Sequence, residues 1–157
     1  MVVVVMGVAG CGKTTIGPLL AKALGGDYAE GDQFHPPANI AKMSRGEPLS
    51  DDDRMPWLAG MAAAIRDWRT RERPTVLACS ALKQRYRDIL ADGSPEVRFL
   101  YLRGTEEVIG ARLARRRNHF MPPSLLKSQF ATLEEPRDAI VADVTNDPPS
   151  IVAAAVA

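Results

Sequence analysis

Cysteine is scarce in this 157-residue chain, which has only Cys11 and Cys79, far apart in the sequence. This scarcity excludes a disulfide framework and a metal site built on closely spaced cysteines, and it favours reduced thiols in the cytoplasm. Net charge is almost absent as well, because 20 Lys and Arg residues offset 19 Asp and Glu residues. No overall field therefore attracts the chain to nucleic acid or to an anionic membrane. No apolar run approaches the ~20 residues that span a bilayer.

Internal repeats, low-complexity segments and interdomain linkers are also missing, which predicts a single domain over residues 1–157. The chain instead alternates short runs that favour strands with longer segments of helical periodicity. This alternation is typical of an α/β fold with a parallel sheet, in which ligands bind at the carboxyl ends of the strands. The predicted strands cover residues 2–6, 28–30, 75–79, 97–102 and 139–144.

The first predicted strand leads directly into a glycine-rich loop, and a helical segment follows that loop. Two glycines five positions apart, then Lys13 and Thr14, match the phosphate-binding loop pattern. Glycines allow successive N–H groups to point inward at a helix N-terminus, where they bind phosphate. We expect Lys13 to reach the terminal phosphates of a nucleotide and the Thr14 hydroxyl to bind Mg²⁺. The nucleotide-binding residues predicted here are Gly7, Gly10, Cys11, Gly12, Lys13, Thr14 and Thr15.

Two carboxylates stand at the end of the second predicted strand and should face the same crevice as the loop. Asp32 is our candidate for orienting an acceptor hydroxyl and accepting its proton, and Glu30 could hold Mg²⁺ through water. Both could instead cap a turn. His35, taken alone, is more typical of a structural hydrogen-bonding residue. Arg54 fits either a solvated ion pair on a helix or a planar fork for a substrate carboxylate.

The third predicted strand ends without the Asp that holds magnesium in many phosphate-loop enzymes. Ser80 could partly substitute for it. Lys83 and Arg87 offer positive charge to an anionic substrate. Cys79, among apolar neighbours, is expected to be inert packing.

Four arginines form the strongest charge cluster of the chain, at positions 112, 115, 116 and 117. Arg112 and Arg116 are four residues apart and would share a helix face. Ahead of the Pro122-Pro123 interruption, this pair suits a lid that closes over a transferring phosphate and neutralises its charge. The alternatives are a solvated basic face and a nucleic-acid patch, and the near-neutral chain argues against the second.

Taken together, the motifs resemble the small bacterial-type gluconokinases, relatives of shikimate kinase and of the nucleoside monophosphate kinases. The resemblance runs from about residue 2 to residue 147. It is carried by the following segments: Gly-Val-Ala-Gly-Cys-Gly-Lys-Thr at 7–14, Gly-Asp at 31–32 with His-Pro at 35–36, Asn-Ile at 39–40, Gly-Glu-Pro-Leu at 46–49, Asp-Asp-Asp-Arg at 51–54, Cys-Ser-Ala-Leu-Lys at 79–83, His-Phe at 119–120 and Gln-Phe at 129–130.

The resemblance implies a three-layer P-loop kinase fold with sheet order 2-3-1-4-5 and ATP-dependent, Mg²⁺-assisted phosphorylation of D-gluconate. It implies an acceptor segment over residues 31–70 and a mobile lid over residues 112–130. The enzyme would be cytoplasmic and without a nucleic-acid or membrane partner, and a homodimer is usual among such relatives. Gluconate would contact Asp32, His35, Arg54, Ser80, Lys83, Arg87 and His119, and the nucleotide would also contact Arg112, Arg116, Asp147 and Pro148, with Lys13, Asp32 and Arg116 catalytic.

Two other functions are compatible with the phosphate loop. The first is the same chemistry on another small acceptor, such as shikimate, a related sugar acid or a nucleotide. The second is a nucleotide-binding switch without any acceptor. The chain lacks the Asn-Lys-x-Asp element that reads guanine, and the acceptor-side segments would have no purpose in a switch.

Overall fold

The computed structural model describes residues 1–115 and 123–157. Within these residues a five-stranded, wholly parallel sheet has the order β2-β3-β1-β4-β5. This confirms the α/β class expected from the alternation of strands and helices, and the sheet order that the resemblance implies. The strands are β1 (Val2–Met6), β2 (Asp27–Glu30), β3 (Thr75–Ala78), β4 (Val97–Arg103) and β5 (Ile140–Asp143).

Helices connect the strands and cover both faces of the sheet. A short 3-10 helix, Gly31–Phe34, follows β2 and was not predicted, because four residues are too few to show a periodicity. The α-helices of the described residues are α1 (Lys13–Leu24), α2 (Pro37–Ser44), α3 (Asp51–Trp68), α4 (Gln84–Ala91), α5 (Glu106–Arg115), α6 (Pro123–Thr132) and α7 (Pro148–Val156).

Strand β1 is buried on both faces, which explains its unbroken run of valines. Val3 and Val5 pack into a cluster with α1 and α7, whereas Val2 and Val4 pack on the other side with α3 and α4. Each fully buried aliphatic side chain of this kind stabilises the fold by about 1.5–3 kcal/mol. The central strand therefore holds the loop that follows it on a rigid base.

A capping box fixes the start of α3 beside α2. The Ser50 hydroxyl accepts from the Asp53 N–H at 3.1 Å, and the Asp53 carboxylate accepts from the Ser50 N–H at 2.8 Å. The same carboxylate lies 2.7 Å from the Lys42 ammonium, which ties α2 to α3. Among the residues that the structure describes, no helix is both long and apolar enough to cross a bilayer.

Candidate active site

A cavity of about 450 Å³ lies at the carboxyl ends of β1, β2 and β3. The phosphate loop forms one wall, the ends of β2 and β3 form the floor, and α3 and α6 close the sides. The cavity therefore joins the predicted nucleotide residues to most of the predicted acceptor residues. Those that contribute to its lining are Gly10, Gly12, Lys13, Thr14, Glu30, Asp32, His35, Arg54 and Ser80.

The phosphate loop needs its glycines for conformation and for space. Gly10 and Gly12 have φ angles of 81° and 106°, in the left-handed region that disfavours other residues. A Cβ on Gly12 would meet no atom within 4 Å, so the loop is open there toward the cavity. Gly12 also precedes α1 without a side-chain cap from the described residues. The N-terminal N–H groups of α1 can thus bind phosphate.

Lys13 folds back over its own loop. Its ammonium donates to the carbonyl oxygens of Gly7 at 2.9 Å and Val8 at 3.0 Å. Cys11 is buried beneath the loop, where its sulfur lies 3.8 Å from the same ammonium. Because the Cys11 side chain is buried, the predicted contact of Cys11 with the nucleotide would have to be made by its backbone.

The 3-10 helix carries Asp32 to the cavity. The indole N–H of Trp57 donates to the Gly31 carbonyl at 2.8 Å and holds this turn against α3. Gly31 itself fits because a Cβ there would lie 2.8 Å from the Ala78 carbonyl oxygen. Glu30, the last residue of β2, accepts a hydrogen bond of 3.3 Å from the Tyr28 hydroxyl. Both candidate carboxylates therefore reach the same cavity.

His35 is buried and lies flat on Trp57, with ring centroids 4.4 Å apart and 12° between the ring planes. Burial lowers the pKa of His35, and the nearby Arg54 charge acts in the same direction, although Asp32 opposes it. The imidazole is therefore neutral near pH 7. Asn39, buried behind the ring, lies within 3.2 Å of Nδ1. Asn39 is not among the site residues predicted from the sequence, since only its place in a family motif marked it.

Arg54 reaches the cavity from the first turns of α3. Its guanidinium donates to the Tyr86 hydroxyl at 3.1 Å, and that hydroxyl in turn donates to Asp51. Lys83 lies 2.9 Å from the same Asp51 carboxylate. Of the two alternatives for Arg54, this geometry favours the planar fork, because its described partner is a hydroxyl rather than a carboxylate.

Two predicted substrate contacts, Lys83 and Arg87, bind other groups of the protein in the structure. Arg87 is 2% exposed, and its guanidinium donates to the carbonyls of Ala81, Leu82 and Glu134 inside the protein. Lys83 is occupied by Asp51 and does not line the cavity. Both residues follow β3 as predicted, and contact of either one with the acceptor stays a prediction.

Other predicted nucleotide contacts also lie away from the cavity. Arg112 donates to the Val144 carbonyl. Asp147 caps α7 by accepting from the Ser150 N–H at 3.2 Å, and Pro148 begins that helix. Contact of these three residues with a nucleotide stays a prediction. Arg116 and His119 lie outside the described residues.

Helix α6 contributes a wall that the residue-by-residue sequence analysis missed. The Gln129 side-chain oxygen accepts from the Ala9 N–H, in the phosphate loop, at 2.7 Å. Cys79, at the floor, is fully buried, and burial raises the pKa of its thiol to about 12, so the thiol is inert. The cavity-lining residues of α6 are Leu125, Ser128, Gln129 and Thr132.

The oxygen donors of the cavity suit a hard cation. Thr14, Glu30 and Asp32 offer one hydroxyl and two carboxylates, which fit Mg²⁺. Within residues 1–115 and 123–157, no three His, Cys, Asp or Glu side chains form a metal cluster. Mg²⁺ does not need one, because it retains waters and binds through one or two carboxylates and the substrate phosphates.

This fold and this cavity define a P-loop kinase for a small acceptor. A family model described as shikimate kinase matches residues 9–148. The thermosensitive gluconokinase of Escherichia coli (strain K12) is 47% identical over 148 residues, covering 92% of this chain and 79% of that protein. The gluconokinase of Gluconobacter oxydans (strain 621H) is 49% identical over 135 residues, covering 86% and 76%.

Solved structures agree with these relatives. A gluconokinase from Sinorhizobium meliloti 1021 superposes with a TM-score of 0.85 and 46% identity, covering 98% of this chain and 87% of that one. Shikimate kinase from Aquifex aeolicus shares the fold, with a TM-score of 0.64, 13% identity and coverage of 99% and 94%. The chain belongs to the gluconokinase family, within the broader shikimate kinase family.

Proposed function

We propose that this protein is a gluconokinase, which transfers the terminal phosphoryl group of ATP to the terminal hydroxyl of D-gluconate and forms 6-phosphogluconate. The observation that carries the proposal is the single cavity that joins the phosphate loop to Asp32, His35 and Arg54. The relatives named gluconokinase, at 40–49% identity, identify the acceptor.

The transfer proceeds in line and without a covalent enzyme intermediate. A bond forms between the acceptor oxygen and the terminal phosphorus as the bond from phosphorus to ADP breaks, and the hydroxyl proton passes to Asp32. Lys13 exchanges its two loop carbonyls for phosphate oxygens when ATP binds. Arg54 holds the gluconate carboxylate at the opposite end of the cavity through its planar fork. Positioning and electrostatics supply most of the catalysis.

Mg²⁺ would be held by the Thr14 hydroxyl and, through water, by Glu30. When bound, it neutralises charge on the phosphate oxygens. Residues 31–70 form the acceptor side. Residues 112–130, including Arg112 and Arg116, serve as a lid that excludes water during transfer. His119 would contact gluconate from this lid.

We also propose that the enzyme acts in the cytoplasm, where ATP is available and its two buried thiols stay reduced. A homodimer is part of the proposal because it is usual in the family. The acceptor requires neither nucleic acid nor a membrane.

An acceptor panel tests this function. ADP release is measured with gluconate, shikimate, other sugar acids and nucleotides, and gluconate is expected to give the highest kcat/KM. A different preferred acceptor would replace gluconate, whereas ATP binding without stimulation by any acceptor would favour a nucleotide switch.

The Asp32→Asn variant tests the chemistry directly. We expect kcat to fall about 10²–10⁴-fold, because the general base is lost, while ATP affinity holds. Asp52→Asn, at an exposed position of α3, is the matched control and should keep the wild-type kcat. Near-normal turnover of Asp32→Asn would remove Asp32 from the role of base.

A further inference from the structure

Asn39 makes two contacts with one amide nitrogen. Its Nδ2 lies 2.8 Å from the backbone carbonyl oxygen of Asp53 and 3.2 Å from Nδ1 of His35. Asn39 is 4% exposed and lies in the first turn of α2, behind the imidazole and outside the cavity lining. His35 itself contributes to the cavity.

The Asp53 carbonyl fixes which way the Asn39 amide points. A backbone carbonyl oxygen can only accept a hydrogen bond, so the Asn39 atom that faces it at 2.8 Å must be the NH₂ group. The reversed amide would set two carbonyl oxygens against each other in a buried place, which is costly. The second hydrogen of this NH₂ group is then directed at Nδ1 of His35. Nδ1 must therefore be the acceptor, without a proton of its own.

We propose that Asn39 is a positioning residue that holds His35 in the neutral tautomer with its proton on Nε2. Nε2 lies across the ring from Nδ1, so this tautomer presents an uncharged N–H donor on the side of the ring away from Asn39. In the enzyme this donor binds an oxygen of the acceptor. The inference deepens the proposed function. Its kinetic consequence rests on that function, whereas the tautomer itself can be tested in the free protein.

The surroundings of the ring support a fixed and neutral donor. Trp57 stacks on one face of His35 and prevents the ring from turning freely. Burial disfavours the imidazolium, Arg54 disfavours it further, and Asp32 alone of the three acts in the opposite direction. A neutral donor suits a hydroxyl oxygen, whereas the charged fork of Arg54 suits a carboxylate. The two residues would thus recognise different ends of a polyhydroxy acid.

Nitrogen NMR of the free protein tests the tautomer without substrate. The chain contains only two histidines, His35 and His119, so the spectrum of ¹⁵N-histidine-labelled protein is simple. A His119→Gln sample assigns the signals. At pH 7.5 we expect Nδ1 of His35 to show the shift of an unprotonated nitrogen and Nε2 that of a protonated one. The opposite pattern, or two protonated nitrogens, would overturn the proposal.

The Asn39→Asp variant tests whether Asn39 imposes the tautomer. Its carboxylate is an acceptor only, so Nδ1 of His35 must gain a proton and its signal must move to the protonated range. An unchanged Nδ1 signal in the folded variant would overturn the role of Asn39. Where the buried carboxylate prevents folding, Asn39→Leu replaces it. Leucine has a similar size and no hydrogen-bond donor, so the protonated fraction of Nδ1 should rise above that of wild type, and an unchanged spectrum would again contradict the proposal.

Kinetics supply the functional readout. With Nε2 no longer a neutral donor in its required place, the KM for gluconate should rise about tenfold in Asn39→Asp, while the KM for ATP stays within about twofold. Equal losses for both substrates would indicate general damage and contradict a positioning role. Failure of the positioning role and failure of the proposed function can be distinguished. The acceptor panel tests the function, and the NMR result tests the tautomer in the free protein whichever acceptor proves best.

Discussion

At the scale of single residues, Tyr86 links the two sides of the acceptor wall. Its hydroxyl accepts from Arg54 and donates to Asp51. Tyr86→Phe removes both bonds and leaves the Arg54 fork free to move, at a cost of about 1 kcal/mol. We therefore expect a several-fold rise in the KM for gluconate with little change in the KM for ATP, measured by ADP release.

Tyr101→Phe is the matched control for that experiment. Its hydroxyl lies 3.1 Å from Glu135, and the residue does not line the cavity. The control should leave the gluconate KM unchanged. If Tyr86→Phe behaves like the control, Arg54 does not depend on Tyr86 for its position.

Site residues were predictable from the sequence where their role depends on lying after the end of a strand. Lys13, Asp32 and Ser80 lie in the segments that come after three different strands, and the parallel sheet brings them to one cavity. Charge and proximity to a strand end do not fix the direction of a side chain, so the bonds of Lys83 to Asp51 and of Arg87 to backbone carbonyls could not be predicted from the sequence. Helix α4 begins at Gln84. Leu82 and Lys83 remain in the loop, beside Ala81 with its φ of 45°.

At the scale of elements, buried Arg87 connects three segments. It binds carbonyls in the loop after β3 and in the segment after α6, while it projects from α4. Arg87→Met leaves those carbonyls without their donor in a buried place. We expect the free energy of unfolding to fall by about 3 kcal/mol and Tm to fall by about 6–12 °C, measured by thermal and urea unfolding.

Arg85→Met is the control, because Arg85 lies on the exposed side of the same helix with its side chain 60% accessible. Its effect should stay within about 0.5 kcal/mol. An Arg87→Met variant as stable as Arg85→Met would show that the buried bonds contribute nothing net. Burial and the bonds to backbone carbonyls distinguish Arg87 from Arg85, and neither could be predicted from the sequence.

Helix α6 brings Gln129 onto the phosphate loop, where its side-chain oxygen accepts from the Ala9 N–H. Gln129→Glu keeps an acceptor there but adds a negative charge beside the position of the ATP phosphates. A repulsion of about 1 kcal/mol raises the KM for ATP about fivefold. Gln129→Met, which loses the bond without adding charge, should raise it less. An ATP KM that both variants leave at the wild-type value would mean that α6 moves away before ATP binds.

Elements with clear periodicity were predictable, and contacts between elements were not. The helical periodicity that resumes after Pro122-Pro123 predicts a helix over residues 124–133, and α6 covers nearly the same residues. That its polar face meets the phosphate loop follows from tertiary packing, which no local pattern encodes. The 3-10 helix that carries Asp32 was missed for a different reason, since a single short turn has no periodicity to detect.

At the scale of the whole molecule, stability should depend on pH in two stages. The pKa of four aspartates is lowered by hydrogen bonds, and that of Asp53 falls to about 2 through Lys42 and Ser50. The stability that these aspartates contribute is fully present above pH 3.8, the ordinary pKa of an aspartate. It is lost as the pH falls toward their lower pKa values in the folded protein. The other three are Asp51, Asp143 and Asp147.

As the pH falls, His35 causes a first loss of stability, at a higher pH than the aspartates do. Because its pKa is lowered in the folded protein, the unfolded chain binds more protons below the ordinary value of 6.5. Stability should therefore fall as the pH drops from about 6.5, well before the aspartates titrate. Tm measured from pH 8 to pH 4 should show this decline in wild type and a flatter profile in His35→Gln, because glutamine does not titrate. Parallel profiles for the two proteins between pH 6.5 and pH 5 would show that His35 is not held neutral by the fold. They would also contradict the buried, neutral imidazole on which the acceptor geometry depends.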